Sequence, residues 1–370
     1  MEPNATRGAD VATPRLPALT GLRFFAALWV VLYHYAPFRE DVPLVAHGYL
    51  AVPLFLVLSG FVLAYSRAQA RRDSSAATFW LGRLTRLYPT YLLGLALATA
   101  LALTVSSVRI DSAMAEAVLL QAWLPGSAPW LNGPGWSLSV EMALYVIFPL
   151  LAARLQQLSD ASLVRLAVVA WLAASAVAAV LLVWVLAGAF EGADRLLLFW
   201  PPLHAGSFVM GASAGTLVAR RSSLSTWAGT PQVVVAVVLI LAAMASPIPG
   251  AVLHDGLLSP VFVLLLIGLA HGGPLARLLG SRPVVALGDA SYALYVLQAP
   301  LWGWWLQLGL GDALGFWPGC AMLVAGSVLV HRGFERPARG WLALQLRRPA
   351  SRRRLSCHVG ADARCPQPGG

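Results

Sequence analysis

The chain is short of charge, contains no lysine and has few cysteines. Charged residues make up 11% of its 370 residues, and all 26 basic residues are arginine. Soluble globular domains carry about 25% charged residues, so this composition argues against a water-soluble domain. The three cysteines, Cys320, Cys357 and Cys365, have neither zinc-site spacing nor the pattern of a disulfide framework. We therefore expect no bound metal and no permanently bound cofactor.

The chain is rich in long apolar runs. Apolar residues make up 58% of the sequence, and the mean hydropathy is +0.71. Runs long enough to cross a bilayer core of about 30 Å recur along most of the chain. The sequence therefore predicts an all-α, polytopic membrane protein with about ten transmembrane helices. The predicted spans are 17–37, 48–66, 87–106, 137–153, 165–189, 197–219, 231–247, 256–271, 284–307 and 314–332.

The arginines indicate the orientation of these spans. With ten crossings both termini lie on one side, together with all arginines except Arg39, Arg109 and Arg195. Positive charge collects on the cytoplasmic side, so we predict that both termini face the cytoplasm of a bacterial cell, in its cytoplasmic membrane. The net charge of +10 then reflects orientation and requires no nucleic-acid partner.

The predicted domain organisation is simple. One transmembrane domain is flanked by a short cytoplasmic segment and by a disordered, arginine-rich tail that contacts anionic membrane lipids. The boundaries are 1–15 for the first segment, 16–340 for the membrane domain and 341–370 for the tail.

Two ionisable residues share one face of the first predicted span. Arg23 and His34 are eleven residues apart, which is about three turns and roughly 16 Å along a helix axis. Ionisable groups are costly in a membrane and usually face the protein interior or a wet cavity. The pair therefore predicts a polar path through the membrane with an imidazole at one end.

Two further groups lie nearer the predicted cytoplasmic side. Ser59 precedes a glycine inside an apolar helix, which permits close helix packing. Arg83 and Arg86 are three residues apart and share a helix face, and arginine forks bind phosphate oxygens well. A phosphate-bearing cytosolic ligand and a plain positive-inside anchor both remain open for this arginine pair.

Other polar side chains lie at the ends of later spans. Glu141 follows Trp136 by five residues, close to a predicted helix start, where it can act as an acid or base, orient His34, or simply lie at the membrane interface. Ser291, Tyr295 and Gln298 form one polar stripe on an apolar helix. For His204, His271 and His331, interfacial or packing roles are expected.

Taken in order, these motifs resemble the acyltransferase-3 family of integral-membrane O-acyltransferases. The similarity runs from Leu16 to about Pro337, and the opening segment is most similar to actinobacterial members, including macrolide and antibiotic-sugar acyltransferases. It rests on five segments, which read LPALTGLRFFAALWVVLYH, GYLAVPLFLVLSGFVLAY, FWLGRLTRLYPTYL, WSLSVEMALYVIFPLL and LGDASYALYVLQAP.

The resemblance implies an acyl-CoA donor, most commonly acetyl-CoA, and a hydroxyl acceptor such as a sugar, a glycan or a macrolide-like metabolite. It implies a catalytic role for His34 as base, with Arg23 and Glu141 supporting it. It implies that CoA is bound by Arg83, Arg86 and Ser59. It implies that the acceptor is bound by Trp136, Ser291, Tyr295 and Gln298.

The chain departs from the family pattern at two places. Gln298 stands where the family usually has histidine, and His204 and Ser207 replace a charged pair in the sixth predicted span. Glutamine hydrogen-bonds but does not titrate, so no second histidine is expected to carry protons at that position. A transporter or flippase, and a catalytically inactive relative, are the competing interpretations; a polar stripe suits the first, whereas retention of both Arg23 and His34 argues against the second.

Overall fold

The computed structural model describes the chain as helices and short connections. Within the described part of the chain there is no strand. The first predicted segment and residues 348–370 of the predicted tail lie outside the described residues, although a helix continues to Arg347. The described residues are 16–70, 75–105, 108, 110–124, 131–189, 192–223 and 229–347.

The helices are numbered here in chain order. They are α1 Pro17–Tyr35, α2 Pro43–Ala46, α3 Ala51–Gln69, α4 Ala76–Val105, α5 Ile110–Ala117, α6 Trp136–Gln157, α7 Asp160–Leu186, α8 Ala193–Phe199, α9 Pro201–Ala219, α10 Thr230–Met244, α11 Gly250–Val252, α12 Ser259–Ala270, α13 Pro274–Leu279, α14 Arg282–Gln307, α15 Leu310–Leu314, α16 Phe316–Val330 and α17 Arg336–Arg347. Two π-helical turns, Leu253–Leu257 and His331–Glu335, join α11 to α12 and α16 to α17.

The all-α prediction is confirmed, but fewer helices than expected have full membrane-spanning character. Six described helices are long and apolar enough to cross a membrane, or seven if a pair bent by 50° counts as one span. That pair joins Gly250–Leu257 to Ser259–Ala270. Two predicted spans correspond to α10 and α16, which have 15 residues each and therefore reach only about 22 Å. Apolar composition alone could not reveal these shorter lengths.

The helix α4 begins earlier than its predicted span. The sequence pattern predicts a start near residue 87, whereas α4 begins at Ala76 and runs for 30 residues. Arg83 and Arg86 therefore belong to the helix itself, and Pro89 lies inside it. Proline within a membrane helix is tolerated because neighbouring elements satisfy the backbone groups that it frees.

The helices α3 and α9 pack closely against each other, and glycines make the approach possible. A Cβ on Gly60 would lie 2.1 Å from the Phe208 carbonyl oxygen, and one on Gly211 would lie 2.0 Å from that of Val57. Small residues at such an interface let two backbones approach closely in a membrane. This contact fixes α9 at the centre of the bundle, where most of its residues are buried.

A buried carboxylate organises the connection that leads into α6. Glu116, at the end of α5, accepts hydrogen bonds from the backbone amides of Leu131 and Asn132 at 2.6 and 3.0 Å. The Asn132 side chain donates in turn to the Val296 carbonyl on α14 at 3.1 Å. The start of α6, with Trp136, is thereby held against α14.

Candidate active site

The first polar group of the site joins α3 to α6. Ser59 donates to Glu141 Oε1 at 3.0 Å and lies 2.9 Å from the hydroxyl of Tyr145, which itself donates to Glu141. The carboxylate accepts from both hydroxyls, and the three side chains form one compact polar contact between two helices. Ser59 and Gly60 therefore have different contacts: Gly60 packs on α9, whereas Ser59 faces the Glu141 carboxylate.

Three arginines surround this polar contact. The Arg83 guanidinium lies 5.9 Å from the centre of the Tyr145 ring and 5.5 Å from that of Phe79, within cation–π range. Arg23 on α1 is within electrostatic range of Arg86 and Glu141. We call this group, made of Arg23, Arg83, Arg86, Glu141, Tyr145 and Ser59, the arginine cluster.

The C-terminal end of the described chain lies close to the arginine cluster. Glu335 is buried and lies 3.1 Å from His331 across one turn, and it is within electrostatic range of Arg23. Arg339 on α17 faces Arg86, and its pKa is lowered by burial and by the charge of Arg86. Because Arg86 and Arg339 repel each other, an anion that binds both of them would be favoured.

His34 lies at the other end of α1, in its last turn. Its Nδ1 is 2.8 Å from the Val30 carbonyl oxygen. A carbonyl oxygen only accepts, so Nδ1 carries the proton in the neutral ring and Nε2 holds the free lone pair. The side chain is exposed, which leaves Nε2 available to take a proton from a bound molecule.

His34 lines a cavity of about 460 Å³, a volume typical of small-molecule sites. Half of its lining residues carry an aromatic ring, and the Tyr33 ring lies 5.0 Å from the His34 ring and 5.7 Å from the Tyr49 ring. The cavity is lined by Val30, Tyr33, His34, Tyr49, Val52, Gly133, Pro134, Trp136, Leu198, Phe199, Gly250, Ala251, His254 and Tyr295. We call it the His34 cavity.

The four residues predicted to bind the acceptor separate into two pairs. Trp136 and Tyr295 line the His34 cavity, and the Tyr295 hydroxyl is 2.8 Å from Ser137 Oγ. Ser291 and Gln298 are buried within the helix packing and do not line it. The Gln298 amide donates to the Tyr295 carbonyl at 2.9 Å.

The structure also separates Glu141 from His34. Glu141 accepts from Ser59 and Tyr145, whereas the ring nitrogen Nδ1 of His34 bonds to its own helix. Glu141 therefore does not orient the imidazole by a direct hydrogen bond. Its partners place it with Arg23 and Arg83, where its charge offsets theirs.

The sequence analysis missed one group beside the cavity. His204, His254 and Asp255 are buried together, and the Trp136 ring lies 5.5 and 5.3 Å from the two imidazoles. His204 is 50 residues from His254 in the chain, so no short spacing signals the group. Only the crossing of α9 with the bent pair brings these side chains together.

The chain is similar in sequence to known acyltransferases. A family model described as an acyltransferase domain matches residues 16–332. The chain is 31% identical over 316 residues to acyltransferase MdmB of Streptomyces mycarofaciens, with 77% of this chain and 78% of that protein covered. It is 27% identical over 155 residues to O-acetyltransferase OatA of Staphylococcus aureus, with 37% of this chain and 25% of OatA covered. No solved structure matches significantly.

The family match covers the helices that hold both the arginine cluster and the His34 cavity. It begins with the residue before α1 and ends within the second π-helical turn. The similarity therefore spans α1 to α16 and extends beyond isolated motifs. On this evidence the chain belongs to the acyltransferase-3 family and is an O-acyltransferase.

Proposed function

We propose that the protein transfers an acetyl group from acetyl-CoA to a hydroxyl of a carbohydrate or a glycosylated secondary metabolite. The observation that carries this proposal is the free Nε2 of His34, exposed in a cavity of small-molecule size. A positioned imidazole with a free lone pair is a general base suited to activating a hydroxyl. The names of MdmB, an acyltransferase, and OatA, an O-acetyltransferase, support the reaction class.

The arginine cluster is the proposed binding site for the phosphates of CoA. Arg83 and Arg86 share a helix face on α4, and Arg23 approaches from α1. Guanidinium groups bind phosphate oxygens through two parallel hydrogen bonds. The pantetheine arm then runs beside α1 for the roughly 16 Å that separate Arg23 from His34, which brings the thioester to the cavity.

The reaction proceeds by direct transfer. His34 Nε2 takes the proton of the acceptor hydroxyl while the hydroxyl oxygen attacks the thioester carbonyl carbon. The carbon–sulfur bond then breaks, and the proton passes from His34 to the departing CoA thiolate. The products are an ester and free CoA, and His34 returns to its neutral form.

The acceptor is assigned to the part of the His34 cavity that is lined by Trp136 and Tyr295. Aromatic walls with a few placed polar groups are typical of sites that bind small organic molecules. Trp136 and Tyr295 supply such surfaces on opposite helices, α6 and α14. A hydroxyl on a cyclic sugar fits this lining better than a linear, charged acceptor does.

The proposed topology keeps ten crossings, with both termini on the cytoplasmic face of a bacterial cytoplasmic membrane. The helices α9, α10 and α16 add three crossings to the other seven. Of these, α10 and α16 have 15 residues each, and such short helices are accommodated by local thinning of the bilayer. Arg339 lies near Arg86 at the end where α4 begins. This proximity supports a common side for the two ends of the described chain and cytosolic entry of acyl-CoA.

The direct test measures release of free CoA thiol by the full-length protein purified in detergent. Acetyl-CoA is supplied with a panel of hydroxyl acceptors: a glycosylated macrolide, a free sugar and a peptidoglycan fragment. We expect thiol release that depends on at least one acceptor, with the matching ester found by mass spectrometry. Acceptor-dependent release with a longer acyl-CoA but none with acetyl-CoA would refute the acetyl assignment. Absence of release with every acyl donor would refute the proposed reaction.

A further inference from the structure

Beside the His34 cavity lies a second group of side chains that the proposed reaction does not use. His204 comes from α9, whereas His254 and Asp255 come from the π-helical turn between α11 and α12. One possible ligand atom from each residue lies within 4.8 Å of the others. His204 is fully buried, and the other two are 7% and 5% exposed.

Four polar atoms of this group lack hydrogen-bond partners within the described structure. These are Nδ1 of His204, Nδ1 of His254 and both carboxylate oxygens of Asp255. His254 Nδ1 lies 3.6 Å from Asp255 Oδ1, too far for a good hydrogen bond. A buried polar group without a partner costs about 1–3 kcal/mol, so four such atoms in one place indicate that something else satisfies them.

The other nitrogen of His204 is already oriented. Its Nε2 lies 3.1 Å from the Leu198 carbonyl oxygen, so Nε2 carries the proton and Nδ1 presents its lone pair to the group. Histidines that bind metals commonly donate their second N–H to a backbone carbonyl, which fixes ring orientation and tautomer. His204 has this arrangement.

The turn that carries His254 and Asp255 is shaped for this placement. Gly256 has φ of +93°, and a Cβ there would lie 2.2 Å from Ser207 Oγ. Trp171 donates to the Gly256 carbonyl at 3.2 Å, which ties the turn to α7. Single π-helical turns are rare and occur often at functional sites. The local backbone thus directs two adjacent polar side chains inward against α9.

We propose that His204, His254 and Asp255 bind one divalent transition-metal ion, with Zn²⁺ as the probe. Two imidazoles and a carboxylate form a ligand set that is typical of zinc sites with an open position. Zinc–ligand bonds of about 2.0–2.2 Å place tetrahedral ligand atoms about 3.5 Å apart, so atoms that lie within 4.8 Å of one another need to close by about 1.3 Å at most.

The open coordination position of this site faces the His34 cavity. His254 lines the His34 cavity, and Trp136 covers both imidazoles from the α6 side. The ion therefore binds in the cavity wall and takes a water or another oxygen ligand as its fourth partner. The site is separate from His34 Nε2, and its test does not depend on the proposed acyl transfer.

The test measures metal content directly. Full-length protein in detergent is stripped with a chelator, dialysed with Zn²⁺, desalted and analysed by inductively coupled plasma mass spectrometry. We expect about one Zn²⁺ per chain, which is the stoichiometry of a single three-ligand site. His204→Gln, His254→Gln and Asp255→Asn should each weaken binding by at least about tenfold, because altering even the surroundings of a metal costs that much.

Matched variants outside the group serve as controls. His271→Gln and Asp312→Asn remove the same functional groups from exposed positions and should retain the ion. Co²⁺ in place of Zn²⁺ should give the visible absorption of a four-coordinate site, which Asp255→Asn abolishes. Wild-type protein with far less than one ion per chain would overturn the proposal even if the variants fail to fold. Equal binding by wild type and all three ligand variants would also overturn it.

Discussion

The two ends of α1 face very different surroundings. Around Arg23 the neighbours are charged: Arg83 and Arg86 surround Glu141, and Glu335 lies within electrostatic range. Around His34 the neighbours are aromatic rings and a wide cavity. One end therefore suits an anion, and the other suits a neutral molecule with a reactive hydroxyl.

This difference indicates a division of labour along a single helix. Charged groups buried in a membrane protein are costly and usually mark a ligand path. In the proposed function the arginine cluster supplies affinity for the acyl donor, whereas the His34 cavity supplies the base and the acceptor site. Variants at the two ends should therefore alter different kinetic constants, and this expectation can be tested.

The largest effect is expected at the His34 end. His34→Ala should lower kcat by about 10²–10⁴-fold, the usual contribution of a general base. The Kd for acetyl-CoA should change little, because the phosphates bind at the other end. Steady-state thiol release and equilibrium binding measure the two quantities separately.

His271→Ala is the matched control for that variant. His271 also bonds through Nδ1 to the carbonyl four residues earlier, at 2.9 Å, but it does not line the cavity. It should retain full activity. Near-normal turnover by His34→Ala would remove the base from the mechanism and erase the proposed difference between the two ends.

The next effect is expected at the arginine cluster. Arg83→Gln and Arg86→Gln should each weaken acetyl-CoA binding by about tenfold or more, since a hydrogen bond to a charged group contributes about 1.5–3 kcal/mol. Lysine at either position should recover only part of the loss, because the two-pronged geometry is missing. Isothermal titration with acetyl-CoA gives the constants, and Arg277→Gln on the exposed α13 serves as the control.

An unchanged Kd in both variants would show that these arginines only anchor the helix. A KM increase for the acceptor without a change for acetyl-CoA would place the acyl donor elsewhere. Either result would end the assignment of the charged end to CoA.

The sequence predicted the helical class and several helix positions because apolar periodicity and length are local properties. The predicted span 284–307 differs from α14 by two residues at its start. Arg23 and His34 could be placed on one helix from spacing alone, and both lie in α1 as expected. Features that depend on one continuous segment were therefore accessible.

Features that depend on contacts between distant segments were not accessible. The hydrogen bond from Ser59 to Glu141 joins positions 82 residues apart, and no pattern in either segment announces it. Helix α10 has apolar character but stops at Met244, after 15 residues. The sequence also could not show that Ser291 and Gln298 turn into the packing whereas Tyr295 reaches the cavity.

Glu141 tests whether the arginine cluster acts on the acyl donor or on the base. Glu141→Gln removes the charge but can keep the contacts with Ser59 and Tyr145. Loss of the carboxylate charge beside Arg23 and Arg83 strengthens their attraction for phosphate, so we expect acetyl-CoA affinity to rise about fivefold, which corresponds to about 1 kcal/mol. The pH dependence of kcat should stay the same. A shift of that profile would connect Glu141 to His34 despite their separate partners.

The smallest effect is expected at Gln298, whose side chain is buried where α14 packs against its neighbours. Its amide donates to the Tyr295 carbonyl, whereas its Oε1 is buried without a partner in the described structure. Removing an unsatisfied acceptor costs little, so Gln298→Leu and Gln298→His should both keep kcat/KM within about tenfold of wild type.

The pH profile makes this last prediction decisive. If His34 is the only base, the rate should rise with pH as the imidazole loses its proton and then level off, because only the neutral ring accepts a proton. That single rise should be the same in wild type and both Gln298 variants from about pH 5 to 8. A second titration step introduced by Gln298→His would show that position 298 communicates with the reacting atoms. A wild type that is inactive with every acyl donor and acceptor, but is activated by that substitution, would mean that His34 alone cannot serve as the base.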